Sequence, residues 1–129
     1  MKASMSPVIE IRGLTIEFNG VPAVKSVALN ISKGHIVGIV GESGSGKSTL
    51  ASALIGLLPN SARVTSGKIL FDDQEITSAT PDVLRELRGQ RISMVSQDTL
   101  SALNPVLTIG EHLIDTQFRE TIGLAEKRR

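Results

Sequence analysis

The chain opens with two stretches in which apolar and polar residues alternate, residues 8–18 and 25–32. A two-residue period is typical of half-buried β-strands, because successive side chains point to opposite faces of a sheet. Gly13 interrupts the first stretch, which indicates a strand pair with a turn or bulge at that glycine. Asn19 and Gly20 supply a further turn. The pattern therefore predicts an antiparallel β part at the start of the chain.

Residues 35–40 (HIVGIV) are apolar at nearly every position, and residues 91–96 (RISMVS) are a second candidate for a buried strand. Such runs are typical of strands that are buried on both faces, as in a parallel sheet. A shorter strand is predicted over residues 67–73 (GKILFDD), after a loop over residues 60–67. The segment 35–40, with the glycine-rich loop and the helical pattern behind it, predicts a strand-loop-helix unit in the middle of the chain.

Two helices are predicted after the glycine-rich loop. The first rests on leucines that recur at helical spacing until Pro59, namely Leu50, Leu54, Leu57 and Leu58. The second should begin at Thr80 and Pro81, because a hydroxyl at the N-cap, a proline at the first helical position and the acidic Asp82 are three separate start signals. It should end near Gly89.

A third helix is predicted near the end of the chain. Thr108 and Glu111 have the spacing of a capping box, in which each residue satisfies a free N–H group of the other. The helix should therefore begin at Ile109 and run into the charged end of the chain, residues 126–129 (EKRR).

Residues 41–48 (GESGSGKS) match the pattern G-x-x-x-x-G-K-[ST] at every fixed position. A random window matches on the order of once in 10⁴ to 10⁵, and a flexible Gly/Ser linker would not require Lys-Ser at this register. Glycines allow successive backbone N–H groups to surround an anion, and the following helix adds the positive end of its dipole. We therefore expect phosphate to bind Gly41, Ser43, Gly44, Ser45, Gly46, Lys47, Ser48 and Thr49.

Two of these side chains have specific predicted roles. The Lys47 ammonium should reach the β- and γ-phosphates of a nucleotide, and the Ser48 hydroxyl should occupy one position on Mg²⁺. Thr49 is a further expected phosphate contact. The motif thus predicts binding of a magnesium-bound nucleotide, and by itself it leaves kinases, GTPases, helicases and transport ATPases open.

Composition narrows the classes of protein only slightly. The 129 residues allow one domain or less, and 40% hydrophobic with 21% charged residues is ordinary for a folded protein. The formal net charge of +1 and an aromatic content of 2% disfavour a nucleic-acid-binding surface. The absence of cysteine excludes disulfides, thiol catalysis and Cys-ligated metals. No segment approaches the roughly 20 apolar residues of a membrane span, so a soluble chain is expected.

Residues 95–113 (VSQDTLSALNPVLTIGEHL) resemble the Q-loop region of ABC transporter ATPase subunits. The LNP and TIGE motifs, like the segment GIVGESGSGKST, resemble those of the oligopeptide, dipeptide and nickel importer branch. The resemblance extends from about Val8 to the chain end. It implies an α/β fold, the N-terminal portion of a P-loop NTPase (RecA-like) core. Within it, residues 8–34 would be the antiparallel β part, 35–97 the P-loop part, and 98–129 the Q-loop and the start of a helical subdomain.

The resemblance also implies roles for residues outside the loop. Gln97 would be the Q-loop glutamine, contacting Mg²⁺ or the attacking water and acting with Lys47 in catalysis; a solvated loop glutamine is the alternative. Phe18 would stack on adenine, although the family more often has Tyr there and a core role is equally plausible. Val24 would pack against the ribose or the base.

Other conspicuous polar residues are interpreted as structural. His35 and His112 have no second ligand at metal-binding spacing, and Glu42 would face away from the phosphates. Asp72 and Asp73 are expected to form a turn after a strand, because they lack the Asp-Glu ending of the family's Walker B strand.

The resemblance implies an importer ATPase subunit that uses ATP and Mg²⁺ at the cytoplasmic face of the membrane. It would dimerise head to tail with a second ATPase subunit, contact permease subunits through residues 97–113, and drive uptake of peptides or nickel. Nucleic acid is not an expected partner.

The signature motif, the Walker B carboxylates, the D-loop and the switch histidine do not occur after Gln97 in these 129 residues. We therefore expect this chain alone to be inactive, with residues 35–40 or 91–96 left as an exposed apolar edge. Two alternatives stay open: a nucleic-acid-handling ABC ATPase, and a non-catalytic remnant that binds nucleotide or a partner subunit.

Overall fold

The structure is a computed structural model, and it describes residues 6–88, 90–98 and 103–116. The chain divides into two compact units, Met1–Ser93 and Met94–Arg129, each of which is described by itself. In the described residues no helix has the length and apolar character needed to cross a membrane.

The first unit is built on one antiparallel sheet of four strands in the order β2-β1-β3-β4. The strands are β1 Ile9–Phe18, β2 Val21–Ile31, β3 Ala62–Phe71 and β4 Gln74–Glu75. Two helices belong to the same unit, α1 Lys47–Leu54 and α2 Pro81–Leu87. The second unit contains α3 Ile109–Thr116.

Two tight turns close the hairpins of this sheet. Asn19 and Gly20 link β1 to β2 with φ angles of 49° and 84°, and Asp72 and Asp73 link β3 to β4 with φ angles of 45° and 63°. Positive φ at both central residues is the geometry that matches the twist of adjacent strands, and Asn, Asp and Gly tolerate it best. Both turns were predicted, and Asp72 and Asp73 are confirmed as turn residues.

The predicted strand pair around Gly13 is a single strand. β1 continues through Gly13 (φ 57°), and its pairing register with β2 shifts between Ile11 and Leu14, as at a β-bulge. On the other side, Gly67 of β3 crosses so closely that a Cβ atom there would lie 2.3 Å from the Gly13 carbonyl oxygen. The bulge is therefore accommodated by a glycine on the neighbouring strand.

The loop predicted over residues 60–67 is wrong, because β3 already begins at Ala62. This part of β3 pairs with β1 as far as Phe18 opposite Ala62. Its residues alternate only weakly, and their strand conformation depends on a partner more than forty positions away (62 − 18).

The core of the first unit lies between the sheet and the two helices. The sheet contributes most of the aliphatic side chains, and α1 and α2 cover them with Leu50, Ala53 and Leu87. The buried hydrophobic residues are Ile11, Leu14, Ile16, Val24, Leu50, Ala53, Ile69, Phe71, Ile76 and Leu87.

Neither of the two predicted buried strands forms. Residues 35–40 have no strand assignment, and residues 91–96 contain only an isolated bridge from Ile92 to Arg88. A strand is defined by backbone hydrogen bonds to a neighbouring strand. The apolar pattern indicates only that the side chains favour burial. The neighbours that would cover these segments are absent from the described residues, so Val40 and Val95 are 93% and 89% exposed.

Helix boundaries follow local capping signals. α1 ends at Leu54, earlier than the leucine spacing predicted, because Gly56 (φ 65°) terminates it: Leu57 N–H donates to the Ser52 carbonyl at 2.8 Å and Gly56 N–H to the Ala53 carbonyl at 3.0 Å. This is the paired bonding of a Schellman motif.

The start of α2 at Pro81, with Thr80 as N-cap, is confirmed. α3 begins at Ile109 as predicted, and its capping box is complete. The Glu111 carboxylate accepts from Thr108 N at 2.7 Å and from Thr108 Oγ1 at 2.8 Å, while Glu111 N–H donates to Thr108 Oγ1 at 3.3 Å. The predicted continuation to residues 126–129 lies outside the described residues.

Candidate nucleotide-binding site

The glycine loop ends at Gly46, which is the N-cap of α1 with φ 89°. A Cβ atom at this position would lie 2.5 Å from the Ala23 carbonyl oxygen and 3.1 Å from Val24 Cγ2. The first distance is far shorter than a Cβ atom can adopt against a backbone oxygen, and the second is tight, so this position favours glycine. The contact holds the loop against β2, and it thereby fixes where the first turn of α1 begins relative to the sheet.

The Lys47 side chain turns back over the loop. Its ammonium nitrogen donates to the Gly41 carbonyl at 2.8 Å and to the Glu42 carbonyl at 2.6 Å, and it lies 3.1 Å from Ser45 Oγ. These three solvent-exposed contacts hold the ammonium group against the loop. Because carbonyl oxygens are weaker partners for this cation than phosphate oxygens, the charge is available to an anionic ligand.

The first backbone N–H groups of α1 also lie at the end of the glycine loop. The first hydrogen bond of α1 runs from Leu50 N to the Gly46 carbonyl at 2.9 Å, so the N–H groups of Lys47, Ser48 and Thr49 precede the helical ladder. No side chain caps this end of the helix. Free N–H groups at the positive end of a helix dipole attract anions.

A hollow of about 150 Å³ lies at this helix end. It is lined by Ala23, Gly44, Ser45, Gly46, Lys47, Ser48 and Thr49. The structure therefore brings together six of the eight loop residues that the sequence predicted for phosphate binding. Gly41 belongs to the same loop as an acceptor from Lys47, and Ser43 lies in its exposed turn.

A second cavity of about 710 Å³ adjoins the hollow, and both are lined by Ala23, Ser45, Gly46 and Lys47. Most of its lining comes from residues 22–25 and 27–29 of β2 and from residues 37–41. Val24 lines this cavity although it is only 5% exposed. The side chains that line the cavity are mostly apolar.

Phe18 does not line either cavity. It is half-buried at the end of β1, opposite Val21 on β2 and Ala62 on β3. Its predicted contact with adenine stays a prediction, as does that of Val24.

Gln97 belongs to the second unit, where it is exposed in a bend. Beside it, Ser96 Oγ donates to the Asp98 carbonyl at 3.1 Å. The predicted contact of Gln97 with Mg²⁺ or water stays a prediction.

The other conspicuous polar residues have structural contacts. Asp72 pairs with Arg91, His112 Nε2 lies 3.1 Å from the Asn104 carbonyl oxygen, and His35 N–H bonds Ser32. Within the described residues, no group of three or more His, Cys, Asp or Glu side chains could hold a metal ion.

One residue that lines the site and one that supports α1 from its other end were not predicted from the sequence. Ala23 lines both cavities and contacts Gly46 through its carbonyl oxygen, and no property of alanine signals this role. Arg88 supports the far end of α1: its Nε donates to the Ile55 carbonyl at 2.8 Å and its Nη2 to the Gly56 carbonyl at 2.6 Å. A basic residue just after a helix indicates that it can bind helix carbonyls. The sequence does not show which helix carries those carbonyls.

A lysine-bearing glycine loop that opens into a helix, with a hollow at the free N–H groups, defines a nucleotide-binding protein of the P-loop class. Comparison with known families matches residues 24–128 to the family described as ABC transporter. The chain therefore belongs to the ABC transporter family.

The curated relatives agree with this assignment. The dipeptide transport ATP-binding protein DppD of Bacillus subtilis (strain 168) is 40% identical over 120 residues, which are 89% of this chain and 36% of the relative. The oligopeptide transport ATP-binding protein OppD of Lactococcus lactis subsp. cremoris (strain SK11) is 44% identical over 92 residues, 70% of this chain and 27% of the relative. The chain thus spans about a third of the length of these relatives.

Solved structures confirm the fold. The dimeric structure of MJ0796, a bacterial ABC transporter cassette, superposes with a TM-score of 0.77 at 30% identity, covering 93% of this chain and 52% of that one. A post-hydrolysis state of MJ0796 bound to ADP and Pi gives a TM-score of 0.74 at 27% identity, with the same coverage. The fold is that of part of an ABC ATPase cassette, as predicted.

Proposed function

We propose that this chain is the ATP-binding portion of an importer ATPase subunit, which in its complete form couples ATP hydrolysis to peptide uptake. The observation that carries the proposal is the Lys47 ammonium, held 2.8 Å and 2.6 Å from two loop carbonyls beside a hollow lined by residues 44–49. This is a positive charge positioned for an anion of phosphate size.

Nucleotide binding would exchange the partners of Lys47. The ammonium would leave the carbonyls of Gly41 and Glu42 for the β- and γ-phosphate oxygens, which are stronger acceptors because they are charged. The N–H groups of Lys47, Ser48 and Thr49 would donate to the same phosphates. The adjoining 710 Å³ cavity would accept the nucleoside, with Val24 at its wall.

The residues fit a magnesium ion that is bound mainly by phosphate. Ser48 is exposed at the hollow and offers one hydroxyl, and no acidic metal cage exists in the part of the chain that the structure describes. Mg²⁺ in proteins commonly keeps water and phosphate oxygens with few protein ligands. When bound, the ion would neutralise charge on the phosphates, and the Ser48 hydroxyl would hold it at the hollow.

The proposed transport role rests on the relatives. DppD and OppD are named as dipeptide and oligopeptide transport ATP-binding proteins, and this chain shares 40% or more identity with each. We extend to it the corresponding partners: permease subunits, contacted through the segment that contains Gln97, and a second ATPase subunit. The site would then lie at the cytoplasmic face of the membrane, with Gln97 orienting the attacking water.

The experiment compares ATP binding by the wild-type chain, Lys47→Ala and Lys33→Ala. Lys33 is an exposed lysine in the turn after β2 and lines neither cavity, so it is a charge-matched control. A charge-assisted hydrogen bond contributes about 1.5–3 kcal/mol, so Lys47→Ala should weaken ATP affinity about ten- to hundredfold. Isothermal titration calorimetry, with and without Mg²⁺, measures the change.

Lys33→Ala should bind ATP like the wild type, and removal of Mg²⁺ should weaken binding to the wild type. Equal ATP affinities for Lys47→Ala and Lys33→Ala, with both variants folded by circular dichroism, would contradict the proposal.

A further inference from the structure

Strand β2 is irregular at Ser26, close to the residues that line the candidate nucleotide cavity. Ser26 has a φ angle of 48°, in the left-handed region that residues with a side chain rarely adopt. The pairing with β1 shifts at the same place. Leu14 lies opposite Val27, and two residues further along β1, Ile16 lies opposite Val24, which is three residues away on β2. Three positions on one strand against two on the other are the geometry of a β-bulge.

The bulge determines the face of the sheet on which Val24 lies. In a regular strand, residues an odd number of positions apart point to opposite faces. Val24 and Val27 are three positions apart, yet Val24 is a buried core residue and Val27 packs against the same core. The exposed residues between them, Lys25 and Ser26, are the two that the bulge accommodates. Without the bulge, Val24 would point away from the core.

A side chain on the neighbouring strand holds the bulge. The Thr15 hydroxyl oxygen accepts a hydrogen bond from Ser26 N–H at 3.1 Å. Thr15 lies between Leu14 and Ile16, the interval in which the register shifts. A bulge leaves its extra residue unpaired in the backbone ladder, and here the threonine hydroxyl supplies the acceptor. The bulge is therefore stabilised by a particular side chain and not by backbone pairing alone.

The residues beside the bulge carry one wall of the candidate site. Val24 and Val27 both line the 710 Å³ cavity, so the bulge keeps one apolar wall continuous across it. Ala23, the residue before Val24, lines both the cavity and the phosphate hollow. The position of this wall thus depends on the backbone conformation at Ser26.

We propose that Thr15 and Ser26 are positioning residues for nucleotide binding, because together they set the bulge that turns Val24 toward the cavity. The inference rests on the proposed function, in which this cavity accepts the nucleoside. The phosphate hollow is set differently, since Lys47 is held by contacts within the glycine loop itself. A change in the bulge should therefore weaken binding of the nucleoside more than binding of the phosphates.

The first test changes the backbone preference at Ser26. Ser26→Gly adopts positive φ without a steric cost, whereas Ser26→Val disfavours it because a β-branched side chain rarely adopts this region. Ser26 is exposed, so neither substitution removes a core contact. In isothermal titration calorimetry, Ser26→Val should bind ATP about three- to tenfold more weakly than wild type. Ser26→Gly should bind ATP at least as tightly as wild type.

Inorganic tripolyphosphate shows whether the effect lies at the nucleoside. It carries the phosphates of ATP and no nucleoside, so Ser26→Val should bind it with nearly wild-type affinity. Equal losses for ATP and tripolyphosphate would show that the bulge supports the whole glycine loop. Equal ATP affinities for Ser26→Val, Ser26→Gly and wild type would show that the bulge does not support the site. Either result overturns the proposal.

The second test removes the hydroxyl that holds the bulge. Thr15→Val keeps the shape of the side chain and loses the acceptor, and Thr15→Ser keeps the acceptor. An ordinary hydrogen bond corresponds to about a two- to tenfold change in affinity. Thr15→Val should weaken ATP binding by this factor and leave tripolyphosphate binding unchanged, while Thr15→Ser should bind ATP like wild type. Equal ATP affinities for the two variants would overturn the role of Thr15.

Failure of the proposed function gives a different result. A wild-type chain whose ATP affinity is unchanged by Lys47→Ala would contradict nucleotide binding at this loop, and this inference with it. ATP binding that depends on Lys47 but not on Thr15 or Ser26 would contradict only the role of the bulge. Circular dichroism at the titration temperature shows which variants are folded, and the Thr15 pair decides the question if Ser26→Val does not fold.

Discussion

Single residues set the geometry of the glycine loop by two different means. Gly46 acts through space that it leaves empty, because any side chain would meet the Ala23 carbonyl oxygen. Lys47 acts through charge, which the loop carbonyls hold near the hollow. The first determines where the loop can lie, and the second determines what it can bind.

At this scale we predict that Gly46→Ala destabilises the chain more than Gly44→Ala does. Both glycines have positive φ, 89° and 80°, so both variants carry the cost of left-handed backbone, about 1 kcal/mol. Only position 46 adds a steric clash, since nothing lies within 4 Å of a Cβ at Gly44. The loss should therefore be about 2–4 kcal/mol at Gly46.

Urea unfolding monitored by circular dichroism measures both variants. Equal free energies of unfolding for Gly46→Ala and Gly44→Ala would show that the contact between the loop and β2 does not constrain the loop.

Among the elements, α1 is held at both ends. Its N-terminus follows Gly46 against β2, and its C-terminal carbonyls at Ile55 and Gly56 accept hydrogen bonds from Arg88 after α2. The last carbonyls of a helix lack partners within it, and a cation there also interacts favourably with the dipole. α2 thus supports the helix that carries Lys47, although α2 does not itself line the phosphate hollow.

The corresponding prediction is that Arg88→Met lowers the free energy of unfolding by about 1–3 kcal/mol, because two carbonyls lose a charged donor in a half-buried position. Arg85→Met is the matched control. Arg85 lies on the same helix, but its contact is an exposed ion pair with Asp82 at 3.7 Å, so the change should be within about 0.5 kcal/mol. Thermal or urea unfolding checks both. An equal effect of the two substitutions would mean that the Arg88 bonds do not stabilise α1.

For the whole molecule, the distribution of buried residues matters most. In the described part of the chain every buried hydrophobic residue lies between Ile11 and Leu87, which is within the first unit. The second unit contributes α3 with its capping box. A chain that ends after Ser93 should therefore keep the cooperative unfolding transition of the sheet.

Differential scanning calorimetry of residues 1–93 against the 129-residue chain tests this expectation. We expect one transition at nearly the same midpoint, because the core is unchanged. A midpoint lower by more than about 10 °C, which corresponds to about 2 kcal/mol for a domain of this size, would show that the first unit depends on residues beyond 93.

Some features of this protein could be derived from the sequence because their causes are local. The spacing of glycine, Lys47 and Ser48 determines a phosphate loop through the conformations of adjacent residues. The Asn19-Gly20 and Asp72-Asp73 turns follow from tolerance of positive φ, and the capping box of α3 needs only two side chains that lie three residues apart. Each of these features depends on residues that lie within a few positions of one another, so it can be recognised in the sequence.

Other features depend on contacts between residues that are distant along the chain. The strand conformation of residues 62–67 depends on β1, the fit of Gly46 depends on Ala23, and the cap of α1 depends on Arg88. Residues 36–40 have an apolar pattern that predicts a buried strand. They do not form one, because no other strand pairs with them in the described residues. The hydrophobicity of a segment indicates that its side chains are more stable when buried. Only the tertiary structure determines whether another segment covers them.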